Sequence, residues 1–288
     1  MPSGRRVQTG AHLGAPDQAR ATRSGANLNA DRRYANRLLR GLTEADRVLL
    51  HPLLSPVALP VNKSLEASNR RIELVYFPEC GLASTVARSS TRHAVEIAVI
   101  GNEGMTGLAV LLGAGQTPHE SFMQAAGAGW RIAAADLRQA MNGSDSLRDR
   151  LLRYVYTLTV QMGYTALANA RYRIDERLAR WLLMGHDRAS GDQVILTHEF
   201  LAMMLGSRRP GVTTALKQLE RAGLIRSERG RVTILDRAAL EDTANGSYGG
   251  AEAEYARLFP SDDPLRKERP LPKPAPAQRA RQRAFDQA

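Results

Sequence analysis

The sequence predicts an α+β protein built from three parts in order: a strand-rich N-terminal half, one long helix, and a compact C-terminal unit of short helices closed by a hairpin. Three observations predict it. Residues 54–135 hold short apolar runs broken by Gly and Pro. No proline occurs between Pro118 and Pro210, and helical spacing dominates that stretch. Residues 195–235 place two short helical patterns around Gly206, then two β-prone runs around Gly230.

The elements follow in order. Residues 1–30 are rich in Gly, Ala, Arg, Ser and Asn without an apolar period, so a disordered basic tail is expected. Residues 31–53 read as a leading helix and a turn, with Leu38, Leu39 and Leu42, then Val48 to Leu50. The runs 72–77, 94–100 and 121–125, with Thr85 and Val86 between them, are strand-like. Gly and Pro stand between these runs, a pattern that fits a sandwich or jelly-roll barrel over 31–143. Gly104 to Gly113 fits a short helix inside it.

Residues 144–170 read as one helix capped by Ser144 or Asp145. Leu147, Leu151, Tyr154 and Leu158 make one apolar stripe, and Leu152, Val155, Met162 and Ala166 another. Two stripes call for two partners. One is the β domain; the economical second is another copy of the same helix. Leu147, Leu151, Val155, Leu158 and Met162 are the expected dimer residues. A helix buried wholly within one chain is the alternative. Residues 171–245 form the next unit, and residues 260–288, with six prolines among charges, read as a disordered tail.

The C-terminal unit carries the chemistry. Thr197 suits an N-cap, and Phe200, Leu201, Met204 and Leu205 form a stripe behind it. Gly206 permits a left-handed turn, and Pro210 is tolerated only in the first turn of the next helix. In that helix Val212, Ala215, Leu216 and Leu219 share one face, and Thr213, Thr214, Lys217 and Arg221 the other. Ser207, Arg208 and Arg209 stand at its start. An arginine there can donate two parallel bonds to guanine, and hydroxyls and Lys217 can reach bases or phosphates. Residues 225–235 then read as a hairpin whose tip holds Arg229 and Arg231 beside Gly230. The candidate DNA contacts are therefore Thr197, Ser207, Arg208, Arg209, Thr213, Thr214, Lys217, Arg229 and Arg231. A plain αα-hairpin with a solvated basic face is the bland alternative.

Composition agrees. Net charge is +11, which favours a polyanionic partner such as double-stranded DNA. The excess is local: residues 1–40 hold eight Arg against two Asp, and residues 197–231 hold seven Lys or Arg against three Glu. Neither basic end has the apolar face that a membrane-surface helix needs. A single cysteine, Cys80, excludes a disulfide framework, a zinc finger and a cysteine-held iron–sulfur cluster. No apolar run spans a bilayer and no signal peptide precedes residue 30, which fits a reducing cytoplasm. There is no Walker loop, no Gly-x-Ser-x-Gly elbow and no His-Glu-x-x-His, so no enzyme activity, metal or cofactor is assigned.

This layout resembles the Crp/Fnr family of bacterial transcription regulators. The likeness covers about residues 35–242 and is most specific in 174–235, through Glu176 to Leu183, Leu196 to Thr213 and the hairpin. The resemblance implies a cyclic-nucleotide-binding-like jelly roll, a dimerisation helix and a winged helix. It also implies operator binding as a homodimer and contact with RNA polymerase. Arg209 matches the family's guanine-reading arginine, whereas Pro210 replaces a base-reading glutamate, so the operator should differ. Cyclic-nucleotide binders resemble one another in a Gly-Glu run followed by Arg-Ser or Arg-Ala. Here no Arg occurs between Arg92 and Arg131, so cyclic nucleotide is not expected to gate the protein in the usual way. Another small effector is left open. His93, His119 and Cys80 are possible but weak haem ligands. The second function class considered is a ligand-binding module that controls a protein partner without touching DNA.

Overall fold

A computed structural model describes residues 34–260 except 92, 190 and 197. The expected tail 1–30, the expected tail 260–288 apart from Pro260, and the Thr197 cap lie outside the described residues.

The chain begins with two short helices, α1 (Arg37–Arg40) and α2 (Glu44–Leu50), and a 3-10 turn at His51–Leu53. Strands β1 (Ser55–Leu59), β2 (Ser64–Glu66), β3 (Leu74–Pro78), β4 (Leu82–Arg88) and β5 (Ala94–Ile100) follow. Helix α3 (Leu108–Leu111) then precedes β6 (Glu120–Ala125) and β7 (Gly127–Ala133). These strands form two antiparallel sheets, ordered β1-β7-β3 and β2-β6-β4-β5. Among the described residues no strand pairing joins the two sheets, so the domain is a two-sheet sandwich. This matches the sandwich of the expected sandwich or jelly-roll barrel; a closed barrel is not shown.

Helix α4 (Ala134–Gly143) leads into α5 (Asp145–Arg171), 27 residues long and about 40 Å at 1.5 Å per residue. Ser144 caps α5, its hydroxyl accepting from the Leu147 amide at 3.2 Å. The same hydroxyl donates to Asp46 of α2, which ties the start of the long helix to the leading segment. The Asp46 carboxyl titrates below its ordinary range although burial opposes this, because Ser144, Ser146 and Thr43 hydrogen-bond its charged form.

Helix α5 corrects the expected dimer residues. Leu147, Leu151, Val155 and Leu158 are buried in this chain's own core, and Met162 packs partly buried against it. They meet Leu38, Ile100, Met105 and Leu137, together with Phe259 near the end of the described chain. The exposed large side chains on α5 are Leu152, Tyr156 and Leu167. Together with Gly163 they recur at steps of four, seven and four residues along one side. The physical reason for the correction is that a helix beyond residue 245 covers part of α5, so Leu147, Leu151, Val155 and Leu158 are buried within the chain.

The C-terminal unit contains α6 (Ile174–His186), β8 (Gln193–Ile195), α7 (His198–Met204), α8 (Arg209–Arg221), β9 (Ile225–Glu228) and β10 (Arg231–Ile234). Helices α9 (Arg237–Thr243) and α10 (Gly250–Leu258) follow. Its core joins Leu178, Leu182, Leu201, Leu216, Ile225 and Val232 to Leu82 and Val99 of the sandwich. That contact explains why β4 is buried at five successive residues, on both faces. The inner face meets the opposite sheet and the outer face meets the C-terminal unit.

Candidate nucleic-acid interface

Two glycines shape the helix pair. Gly206 adopts φ +51° between α7 and α8, and Gly223 adopts φ +74° after α8. Pro210 lies in the first turn of α8, where its missing N–H costs nothing. Val212, Ala215, Leu216 and Leu219 are buried beneath the helix. Arg208, Arg209, Pro210, Thr214, Lys217 and Arg221 are exposed above it, with Ser207 and Thr213 half-buried. The structure thus brings the predicted helix residues onto one open face.

The threonines are held in defined rotamers. Thr213 Oγ1 donates to the Arg209 carbonyl and Thr214 Oγ1 to the Pro210 carbonyl, both at 3.0 Å. With the hydroxyl protons engaged, each residue offers an acceptor and a methyl group to a base edge. Glu220, the one acid beside this face, is turned to a structural use. Its carboxylate accepts the Ser227 amide at 2.9 Å, bracing α8 against β9.

The expected wing is present and larger than expected. β9 pairs with β10 antiparallel, and β8 adds a third strand on the other side of β10. Gly230 takes φ +82° in the hairpin turn. Arg229 is exposed at the tip. Arg231 forms an ion pair with Glu228 across the hairpin. Its charge is therefore partly spent within the wing, a correction to its expected equivalence with Arg229. Arg226, not singled out from the sequence, is exposed on β9 and is cross-strand from Thr233. Its alternation with the buried Ile225 was the signal that could have found it.

In the sandwich, the segment without the arginine of cyclic-nucleotide binders meets a carboxylate of the chain itself. Glu66 accepts the Gly107 amide at 2.8 Å and the Ser121 hydroxyl at 2.5 Å. Ser121 is fully buried and also contacts Thr85 at 3.1 Å. Glu120, adjacent in sequence, pairs with Arg88 at 3.0 Å. Among the described residues no three His, Cys, Asp or Glu side chains cluster as metal ligands.

Between the sandwich and the C-terminal unit lies a small cavity lined by Glu96, Thr165, Arg177, Arg180, Trp181 and Met204, among others. The Trp181 indole donates to Glu96 at 2.7 Å. Burial pushes the Glu96 carboxyl up to about 7, opposed only in part by hydrogen bonding from Trp181 and by the charges of Arg180 and Arg188.

The comparisons agree with this geometry. A family model described as a Crp-like helix-turn-helix domain matches residues 176–243. No curated protein matches the chain in sequence. Among solved structures, one described as a Crp/Fnr-family transcriptional regulator from Eubacterium rectale superposes with TM-score 0.58 at 20% identity, over 73% of this chain and 98% of its own. A Crp-family regulator from Thermus thermophilus gives TM-score 0.55 at 21% identity, over 66% and 97%. FixK2 from Bradyrhizobium japonicum gives 0.56 at 15% identity, over 66% and 96%. Strand sandwich, long helix and winged helix thus recur in one order, with α8 and its hairpin inside the matched segment, and the chain has the fold of the Crp/Fnr-type DNA-binding transcription regulators.

Proposed function

We propose that the chain is a sequence-specific regulator that binds a two-fold operator as a homodimer. The observation that carries this is the open basic face of α8, flanked by a wing and free of acids other than the braced Glu220. Arg209 reads a guanine, while Thr213, Thr214 and Lys217 complete the base contacts. Ser207, Arg208 and Arg229 hold phosphates, and Arg226 joins them. This face weighs against a module that never touches DNA. Contact with RNA polymerase follows from the same reading.

The dimer seam is the exposed side of α5, at Leu152, Tyr156, Gly163 and Leu167. Two such helices side by side give the symmetry that paired half-sites demand. Cyclic nucleotide does not gate the protein, because Glu66 already engages Gly107 and Ser121 and no arginine occurs between those two positions of the chain. No described helix is long and apolar enough to cross a membrane, and a cytoplasmic site of action is proposed with the DNA reading.

The test is binding to a genomic fragment library, followed by footprinting. Enrichment of a two-fold symmetric site is expected. Equal retention of all fragments would overturn sequence-specific regulation.

A further inference from the structure

The matched helix-turn-helix domain ends at Thr243, yet the described chain continues to Pro260. That continuation touches α6, α5, α1 and the sandwich core. Asn245 donates to Glu176 of α6 at 2.9 Å. The carbonyl of Ser247, a residue only 2% exposed, accepts the Arg180 Nε at 3.0 Å. Tyr248 donates to Asp187 at 2.6 Å, and Arg237 reaches both of them. These contacts grip the DNA-binding unit.

Beyond them, α10 crosses to the rest of the molecule. A side chain at Gly250 would run into the Tyr164 hydroxyl of α5, so α10 lies directly on the long helix. Phe259 is 2% exposed in the sandwich core, with the Arg150 guanidinium 5.2 Å from its ring. Tyr255 lies under Arg37 of α1 and donates to the Glu103 carbonyl at 2.8 Å. The carboxylate of Glu103 in turn holds Arg188, just past α6, at 2.7 Å, with both side chains largely buried. Glu103 therefore receives the strap through its backbone and the DNA-binding unit through its side chain.

We propose that residues 245–259 are a positioning strap that fixes the recognition helix relative to α5, and so sets the half-site spacing that the dimer accepts. This rests on the operator-binding reading above. None of the strap residues needs to touch DNA. Their effect is to hold α6, and hence α8, at one angle to the helix that carries the dimer seam. A strapped dimer presents its two α8 helices at one separation. An unstrapped one pivots, and spends binding energy on ordering.

The experiment compares the full chain, a chain ending at Asn245, and Tyr255→Phe in the full chain. Each is titrated against duplexes whose half-sites lie at the footprinted spacing or one base pair closer or farther. The full chain should prefer its own spacing about tenfold, and the shortened chain no more than about threefold, with affinity for an isolated half-site unchanged. Tyr255→Phe should fall between them. If the shortened chain keeps the full preference, the strap does not position the recognition helix. Calorimetry supplies a readout independent of DNA. The full chain should melt in one transition and the shortened chain in two, as the sandwich and the DNA-binding unit separate. One transition in both would overturn the strap even if the full chain bound no duplex, a result that would by itself defeat only the operator reading.

Discussion

Arg209, Arg229 and Arg231 carry the same charge, and the different roles proposed for them follow from their surroundings. Arg209 opens α8 on its exposed face, whereas Arg231 is paired with Glu228. Arg209→Ala should relax preference at one base pair per half-site, costing about 1–3 kcal/mol of discrimination, read by competition binding. Arg229→Ala should weaken all sequences about equally and reduce the salt slope by roughly one. Arg231→Ala should change the slope by less, since its charge is already shared. Glu96 gives a pH signature at the same scale. Its carboxyl titrates near 7 when folded, against 4.5 ordinarily, so the folded chain binds the extra proton. The stability this contributes is complete below the ordinary carboxylate range and is lost as pH rises through about 7. The thermal midpoint of the wild type should therefore fall between about pH 4.5 and 7 relative to Glu96→Gln, and level off above that. Parallel profiles for the two proteins would contradict this.

Helix α5 has one face in the sandwich core and an exposed face that is proposed as the dimer seam. Leu151 is 1% exposed and faces the sandwich, whereas Leu152 is 38% and Tyr156 51% exposed. Leu151→Ala should destabilise the fold by about 2–5 kcal/mol, the cost of a large-to-small change in a packed core. Tyr156→Glu should leave the unfolding midpoint nearly unchanged and shift light scattering from dimer to monomer. Operator affinity should fall with it, because single half-sites remain. A Tyr156→Glu chain that stays dimeric would place the seam elsewhere. Helix, cap and length were legible in the sequence, since Ser144, the two stripes and the proline-free stretch are local signals. Which stripe faces outward was not legible. It depends on α10, whose sequence shows no strong apolar period and which meets α5 only after the chain has turned back.

Across the whole molecule, the two sheets, α5 and the winged helix form two cores that meet at β4 and β5. The proposed absence of cyclic-nucleotide gating belongs to this scale, because Glu66 of β2 engages Gly107 and Ser121 from distant parts of the chain. Calorimetry should detect no heat of cyclic AMP binding to the full chain, and operator affinity should be the same with and without it. Low-micromolar binding would contradict the reading.

The sequence by itself determined the order of parts, the glycine turns at Gly206, Gly223 and Gly230, the face of α8 and the hairpin behind it. Each rests on backbone preference or on periodicity within about a dozen residues, so no distant partner was needed. Only the tertiary structure decided that Leu147, Leu151, Val155 and Leu158 face inward and that Glu66 meets Gly107 and Ser121. It also decided that Glu228 takes up Arg231, and that residues 245–259 return to the sandwich. The return of the strap and the pairing of Glu66 are contacts between residues far apart in the chain. The Glu228–Arg231 pair is short in range but depends on the register of the wing. None of them leaves a period or a spacing for the sequence to display.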